Sequence, residues 1–323
     1  MTTTALPSTR KAAQAIRRPY PFLAVLTWEL RRVRASRLFW LQALCFFVLL
    51  LFVLWLGREP TSFTIQFTPS APPLFSFVAG TSAWGLLHFL PIGLLLLLAL
   101  LLPFINADGV TRDLQRRTHE LLMTTALPNQ AYVWGRYLLG LLMSLGLAVL
   151  MLAAILGMGL ALHLTIPNYP VPEVGNVLIL WVGMVVPATI LLSSVSFALG
   201  TLLPRQSTLV KIGLLLVWFV GAVMLPSGFG DQTAPPAWYS AWDLTSSATA
   251  KGMLLQYSAD FQNQRATPST SQAQFQHILL TIENRLPDLG TWLAPHLILA
   301  GLSLLLVVLA AFAFQRFRNA FKG

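Results

Sequence analysis

The hydroxyl, imidazole and carboxylate side chains of this chain are the groups able to do chemistry, and their spacing excludes most of the chemistry they could do. A helical zinc protease needs a second His four residues after the first, but His119-Glu120 is followed at position 123 by Met. A nucleophile elbow needs Gly-x-Ser-x-Gly, and the run Gly80-Thr81-Ser82-Ala83-Trp84-Gly85 is one residue too long. A phosphate-cradling loop ends in Gly-Lys-Ser/Thr, and none of the four lysines is followed by Ser or Thr. His88, His163 and His296, with His277, have no partner at helical ligand spacing, so they read as hydrogen-bonding residues and no metal site is expected. The single Cys45 excludes an internal disulfide and cysteine-based zinc motifs. Thr189, Ser193, Ser194 and Ser196 form a polar cluster in an apolar run. They are candidates to line a substrate path, the competing reading being hydroxyls that return to their own helix carbonyls.

The elements that position these residues are set by composition. Of 323 residues 56% are apolar and 10% charged, with a mean hydropathy of +0.69. A soluble domain carries about 25% charge, so an ordinary cytosolic enzyme is excluded. A bilayer core about 30 Å thick takes roughly 20 helical residues. Six runs reach that length: Leu38 to Gly57, Ser82 to Ile105, Val133 to His163, Asn176 to Leu203, Leu209 to Pro226 and Gly290 to Phe314. The first is too long for the apolar part of a signal peptide, and Arg58-Glu59-Pro60 is no cleavage site, so it is read as an anchor.

Net charge is +10, and its placement is lopsided. Seventeen Lys and Arg fall on one side of the spans and four on the other, which puts both termini in the cytoplasm and makes the basic charge topological rather than a nucleic-acid surface. Trp40, Trp55, Trp84, Trp134 and Trp292 near span ends suit an aromatic belt. Residues 1–18 read as a disordered basic N-terminus and residues 315–323 as a cytoplasmic tail. Over 19–37, Phe22, Leu23, Leu26, Leu30 and Val33 make an apolar stripe with Arg31, Arg32 and Arg34 outside it, the pattern of an amphipathic helix lying in the interface.

Within the spans there is no interior Asp, Glu or Arg, and Lys211 is close enough to the basic end to snorkel, which argues against ion-coupled transport. Pro91, Pro103 and Pro187 are candidate kinks, and Gly140, Ser144 and Ala148 make a small-residue stripe for close helix packing. Residues 227–289 read as a partly helical extracytoplasmic segment, with Phe275, Ile278, Leu279, Ile282 and Leu286 on one face.

Between spans two and three, residues 108–128 predict one short helix. Leu114, Thr118, Leu121 and Thr125 share a narrow face, charged groups cover the rest, and Pro128 closes it. Thr118-His119-Glu120-Leu121-Leu122, then Thr125-Ala126-Leu127-Pro128, then Gly135-Arg136 is similar to the signature of ABC-2 type permeases, the membrane subunits of ATP-binding cassette transporters. Arg117 stands where that family has Gly, and Arg136 replaces its Lys with the charge kept.

The resemblance implies an all-α membrane protein with six transmembrane helices, five of them within 38–226 and the sixth at 290–314. It implies that 108–128 is a coupling helix docking into a separate ATPase subunit through Arg116, Arg117, Thr118, Glu120 and Leu121, with Arg136 as a cytoplasmic anchor and Thr189, Ser193 and Ser196 as candidate pathway residues. The chain would then be no enzyme. It would bind no cofactor itself, ATP and Mg residing on the partner. It would pair with a second permease subunit in a homo- or heterodimer in the lipid bilayer, in a bacterial or archaeal cytoplasmic membrane, and export a hydrophobic or amphipathic solute such as a drug, lipid or peptide. Two other classes stay open: a membrane-embedded enzyme acting on lipid or peptide, and a non-transporting scaffold driven by an ATPase.

Overall fold

A computed structural model describes residues 21–110, 128–230, 233–263, 266–286 and 290–314. The first helix, α1, is Pro21–Arg34. Six helices are long and apolar enough to cross a membrane: α2 (Arg37–Leu56), α3 (Ala83–Asn106), α4 (Asn129–Thr165), α5 (Val174–Leu202), α6 (Pro204–Ser227) and, last in the chain, α10 (Leu293–Ala313). They agree with the six apolar runs and are compatible with an integral membrane protein. Before α10 come α7 (Ala237–Trp242), α8 (Ser247–Gln262) and α9 (Gln272–Glu283).

Helix starts follow local chemistry. Ser36 caps α2 by accepting from the Phe39 N–H, and Ser82 caps α3 by accepting from Gly85 N–H. A full capping box at Ser271 and Gln274 opens α9. The prolines leave marks inside the apolar helices. Pro91 lies in a π-helical turn, Leu90–Leu95, and two more such turns, Trp181–Val185 and Val220–Met224, end two residues before Pro187 and Pro226. Proline lacks the N–H and clashes with the carbonyl four residues earlier, so the helix widens locally.

The centre of the bundle is α4, which packs on α1, α2, α3 and α5, while α10 runs along α5 and α6 lies against α3 and α5. Leu86, Leu94, Leu98 and Leu102 of α3 are fully buried in the core. Small residues set the closest approaches. A Cβ on Gly140 would come 2.3 Å from Asn106 Oδ1, and one on Gly200 would come 2.1 Å from the Ala107 carbonyl. The stripe Gly140, Ser144, Ala148 is thus where α4 meets its neighbours: Asn106 Nδ2 donates to Ser144 Oγ (2.9 Å), and Trp181 Nε1 donates to the Ala148 carbonyl (2.8 Å).

The all-helical expectation missed one element. β1 (Thr61–Ile65) and β2 (Leu74–Val78) form an antiparallel hairpin in the register Thr61↔Val78 to Ile65↔Leu74. Thr61, Phe63 and Ile65 alternate with exposed Ser62 and Thr64, the period of a half-buried strand. Phe63 packs on Phe261 of α8, with ring centroids 4.8 Å apart. Backbone groups of alternate β2-edge residues are taken by α9: Gln272 Nε2 donates to Phe75 O, Gln276 Nε2 donates to Phe77 O, and Glu283 Oε2 accepts from the Ala79 N–H.

The tryptophans divide. Trp40 and Trp55 are exposed, as an aromatic belt requires, whereas Trp84 and Trp292 are buried against protein, Trp84 on His88 and Phe261 and Trp292 on Gly183.

Candidate functional site

The candidate site is the end of the bundle where α3 stops and α4 begins, flanking the segment from which coupling was expected. Arg116, Arg117, Thr118, Glu120 and Leu121 lie outside the described residues. The two ends of the segment are described, and each is tied to a different helix.

On the entry side, α3 ends at Asn106 and the chain turns through Asp108. Asp108 Oδ2 accepts from Lys211 Nζ at 2.6 Å and its Oδ1 accepts from Ser207 Oγ at 3.1 Å. Ser207 and Lys211 are four apart at the start of α6, so they share a face. Lys211, expected to snorkel to water, instead has a side chain only 11% exposed and is neutralised by Asp108. Its ammonium lies over Phe104, with Nζ 5.5 Å from the ring centroid.

On the exit side, Arg136 Nη1 lies 2.6 Å from Glu29 Oε1, with side-chain exposures of 8% and 4%. The Gly135-Arg136 pair has a physical meaning here. A Cβ on residue 135 would meet Val25 at 2.8 Å, so Gly135 lets α1 press on α4, and Arg136 then reaches the carboxylate that this contact buries. The stripe of α1 is therefore turned partly onto α4: Glu29 is buried and Phe22, Leu26, Leu30 and Val33 are half-buried, while Leu23 is exposed. Glu29 was missed in the sequence. Its signal was its position, on the same helical face as Phe22, Leu26 and Val33, where a carboxylate needs a cation.

Below this ring runs a polar seam. Asn106 Nδ2 also donates to the Leu102 carbonyl (2.9 Å) and points to Ser193 Oγ (3.5 Å). Tyr137 and Ser194 share a 2.8 Å hydrogen bond, and Ser194 donates back to Ile190 O. Thr189 donates to Val185 O at 2.7 Å. Thr189, Ser193 and Ser196 are all buried between helices, and Ser196 Oγ has no partner among the described residues.

The histidines are held apart. His163 Nδ1 donates to Tyr169 O (2.6 Å), His296 Nδ1 donates to Gly183 O (3.3 Å), and His88 packs edge-on to Trp84. Among the described residues no group of three His, Cys, Asp or Glu is placed to hold a metal.

At the opposite end two carboxyls are buried. Asp243 accepts from the N–H groups of Thr245 and Ala248 and from Thr245 Oγ1, and burial pushes its pKa up despite those bonds. Glu283 is fully buried, and burial pushes its pKa up to about 8 against the pull of the Ala79 N–H. Lys251 Nζ donates to the carbonyls of Pro226 (2.8 Å) and Gly230 (2.6 Å), which secures the end of α6 to α8.

Compared with known proteins, the chain is matched by no family model and by no curated protein sequence.

Proposed function

We propose that the chain is the membrane subunit of an ATP-binding cassette transporter of the ABC-2 type, exporting a hydrophobic or amphipathic solute. A separate ATPase subunit would drive it, and a second membrane subunit would complete it. The observation that carries this reading is the pair of ionic ties at the two ends of the 111–127 segment, the part-buried Asp108 to Lys211 and the buried Arg136 to Glu29. A connector that only reversed the chain would need neither. With both ties, force applied to the connector passes to α6 at one end and to α1 at the other. The motif of Thr118 to Leu122 supplies the docking surface in this reading, with Glu120 and Leu121 at its centre, and the basic asymmetry supports a cytoplasmic side for this end and both termini. ATP and Mg belong to the partner.

The test is co-purification in nanodiscs with cassette ATPases of the same cell. Wild type is expected to bind one of them, and Glu120→Arg with Leu121→Asp to lose it while eluting as a folded protein. Lys211→Met should keep binding and uncouple turnover from solute. Failure of every cassette ATPase to bind wild type rejects the assignment.

A further inference from the structure

A cavity of about 500 Å³ opens between α1, α2, α3 and α4 at the end that carries the Glu29–Arg136 pair. That volume lies in the range of small-molecule and lipid sites. Its wall on α4 is formed by Arg136, Gly140, Met143 and Leu147, successive positions of one helix face. From Arg136 to Leu147 the helix rises about 16 Å, at 1.5 Å per residue, which is half of a hydrocarbon core about 30 Å thick. The cavity is therefore one leaflet deep. Polarity is graded along it. Arg32, Glu29, Arg136 and Asp108 supply its charged lining, and beyond Gly140 on α4 it is lined by Met143 and Leu147, faced from α2 by Phe39, Ala43 and the single amide of Gln42.

Both carboxylates of the lining are held by cations, Asp108 by Lys211 at 2.6 Å and Glu29 by Arg136. Glu29 is committed to Arg136 at 2.6 Å, and its distance to Arg32 is 3.8 Å, while the Arg32 side chain remains 39% exposed. Arg31, Arg34 and Arg37 are exposed on the same α1–α2 corner. A cleft with Met143, Leu147 and Phe39 along its depth and exposed arginines beside its opening matches an amphiphile with an acyl tail and an anionic head.

We propose that this cavity holds one anionic glycerophospholipid of the adjoining leaflet, its phosphodiester on the Arg32 guanidinium and one acyl chain along Met143 and Leu147. The site requires only residence in a bilayer, so it stands independently of any ATPase. A guanidinium is suited to a phosphate by its planar donor fork, and α1, pinned to α4 by Gly135 and Glu29, keeps that donor over the opening.

The test uses the full chain in nanodiscs of equal parts phosphatidylglycerol and phosphatidylcholine, released gently and weighed by native mass spectrometry. Wild type is expected to retain one phosphatidylglycerol. Arg32→Gln should reduce the preference over phosphatidylcholine about fivefold, the effect of one basic residue near an anionic surface. Met143→Trp and, from the opposite wall, Gln42→Trp fill the cavity and should abolish retention of either lipid while melting as wild type does. Equal retention of the two lipids by wild type overturns the proposal. So does retention unchanged in both tryptophan variants, since a lipid merely resting on α1 would survive them.

Discussion

His296 Nδ1 donates to the carbonyl oxygen of Gly183, four residues before Pro187, across 3.3 Å. Proline has no N–H to give that carbonyl its α-helical partner, and a side chain from α10 donates to it instead. The histidine, read in the sequence as a hydrogen-bonding residue, thus bonds a helix carbonyl beside a proline. Its prediction is a double-mutant cycle. His296→Leu should cost about 1–3 kcal/mol, the range for stranding a buried polar group. Pro187→Ala, which restores an N–H, should be more favourable in that background than in wild type. Thermal unfolding in one detergent gives the four values, and strict additivity would show that the carbonyl is not shared.

Breaking the Glu29–Arg136 pair removes the 2.6 Å partner of a buried charge. Glu29→Ala and Arg136→Ala should each destabilise by about 3–5 kcal/mol, whereas the double replacement Glu29→Leu with Arg136→Met should cost much less than the sum. The measurement is the melting temperature of the four proteins, together with proteolysis of the junction between α1 and α2.

Gly140 faces the amide of Asn106, and a methyl group there would lie 2.3 Å from Oδ1. Gly140→Ala should therefore destabilise by about 1–3 kcal/mol as overpacking, and Asn106→Ser should recover part of the loss. A neutral Gly140→Ala would mean that α3 and α4 can slide apart at this level.

Glu283 sets a pH dependence whose direction is fixed. With its pKa raised to about 8 in the fold from the ordinary 4.5, the folded state holds a proton that the unfolded chain has released. Stability is then greatest below about pH 4.5 and falls as pH rises toward 8, by at most about 1.4 kcal/mol per pH unit from this group. Glu283→Gln should remove that slope between pH 5 and 8 in melting curves, and an unchanged slope would assign it elsewhere.

What the sequence made readable followed from range. The six apolar helices were legible because about twenty uncharged residues in a row is a local property, and the small-residue face of α4 was legible because its period lies within one helix. The hairpin was not. Its strands are five residues each, beside a proline-rich turn, too short for alternation to outweigh the apolar surroundings. Lys211 was read as snorkelling because its partner Asp108 lies 103 positions away. Burial of Trp84 and Trp292 likewise depends on α8 and on Gly183, which no window around either residue contains. The motif of residues 118–122 lies outside the described residues, and the ion pairs at its flanks, Asp108 with Lys211 and Glu29 with Arg136, join positions too far apart in sequence to be read locally.

The contacts between α9 and β2 join residues 197, 199 and 204 positions apart. Translation proceeds at about 5–20 residues per second, so the hairpin is made roughly 10–40 seconds before the helix that covers its edge. During that interval the carbonyls of Phe75 and Phe77 have no final partner, and an open strand edge is a template for pairing with another chain. The nascent protein therefore passes through a window in which the hairpin must be shielded, and the arrival of Gln272 to Glu283 closes it.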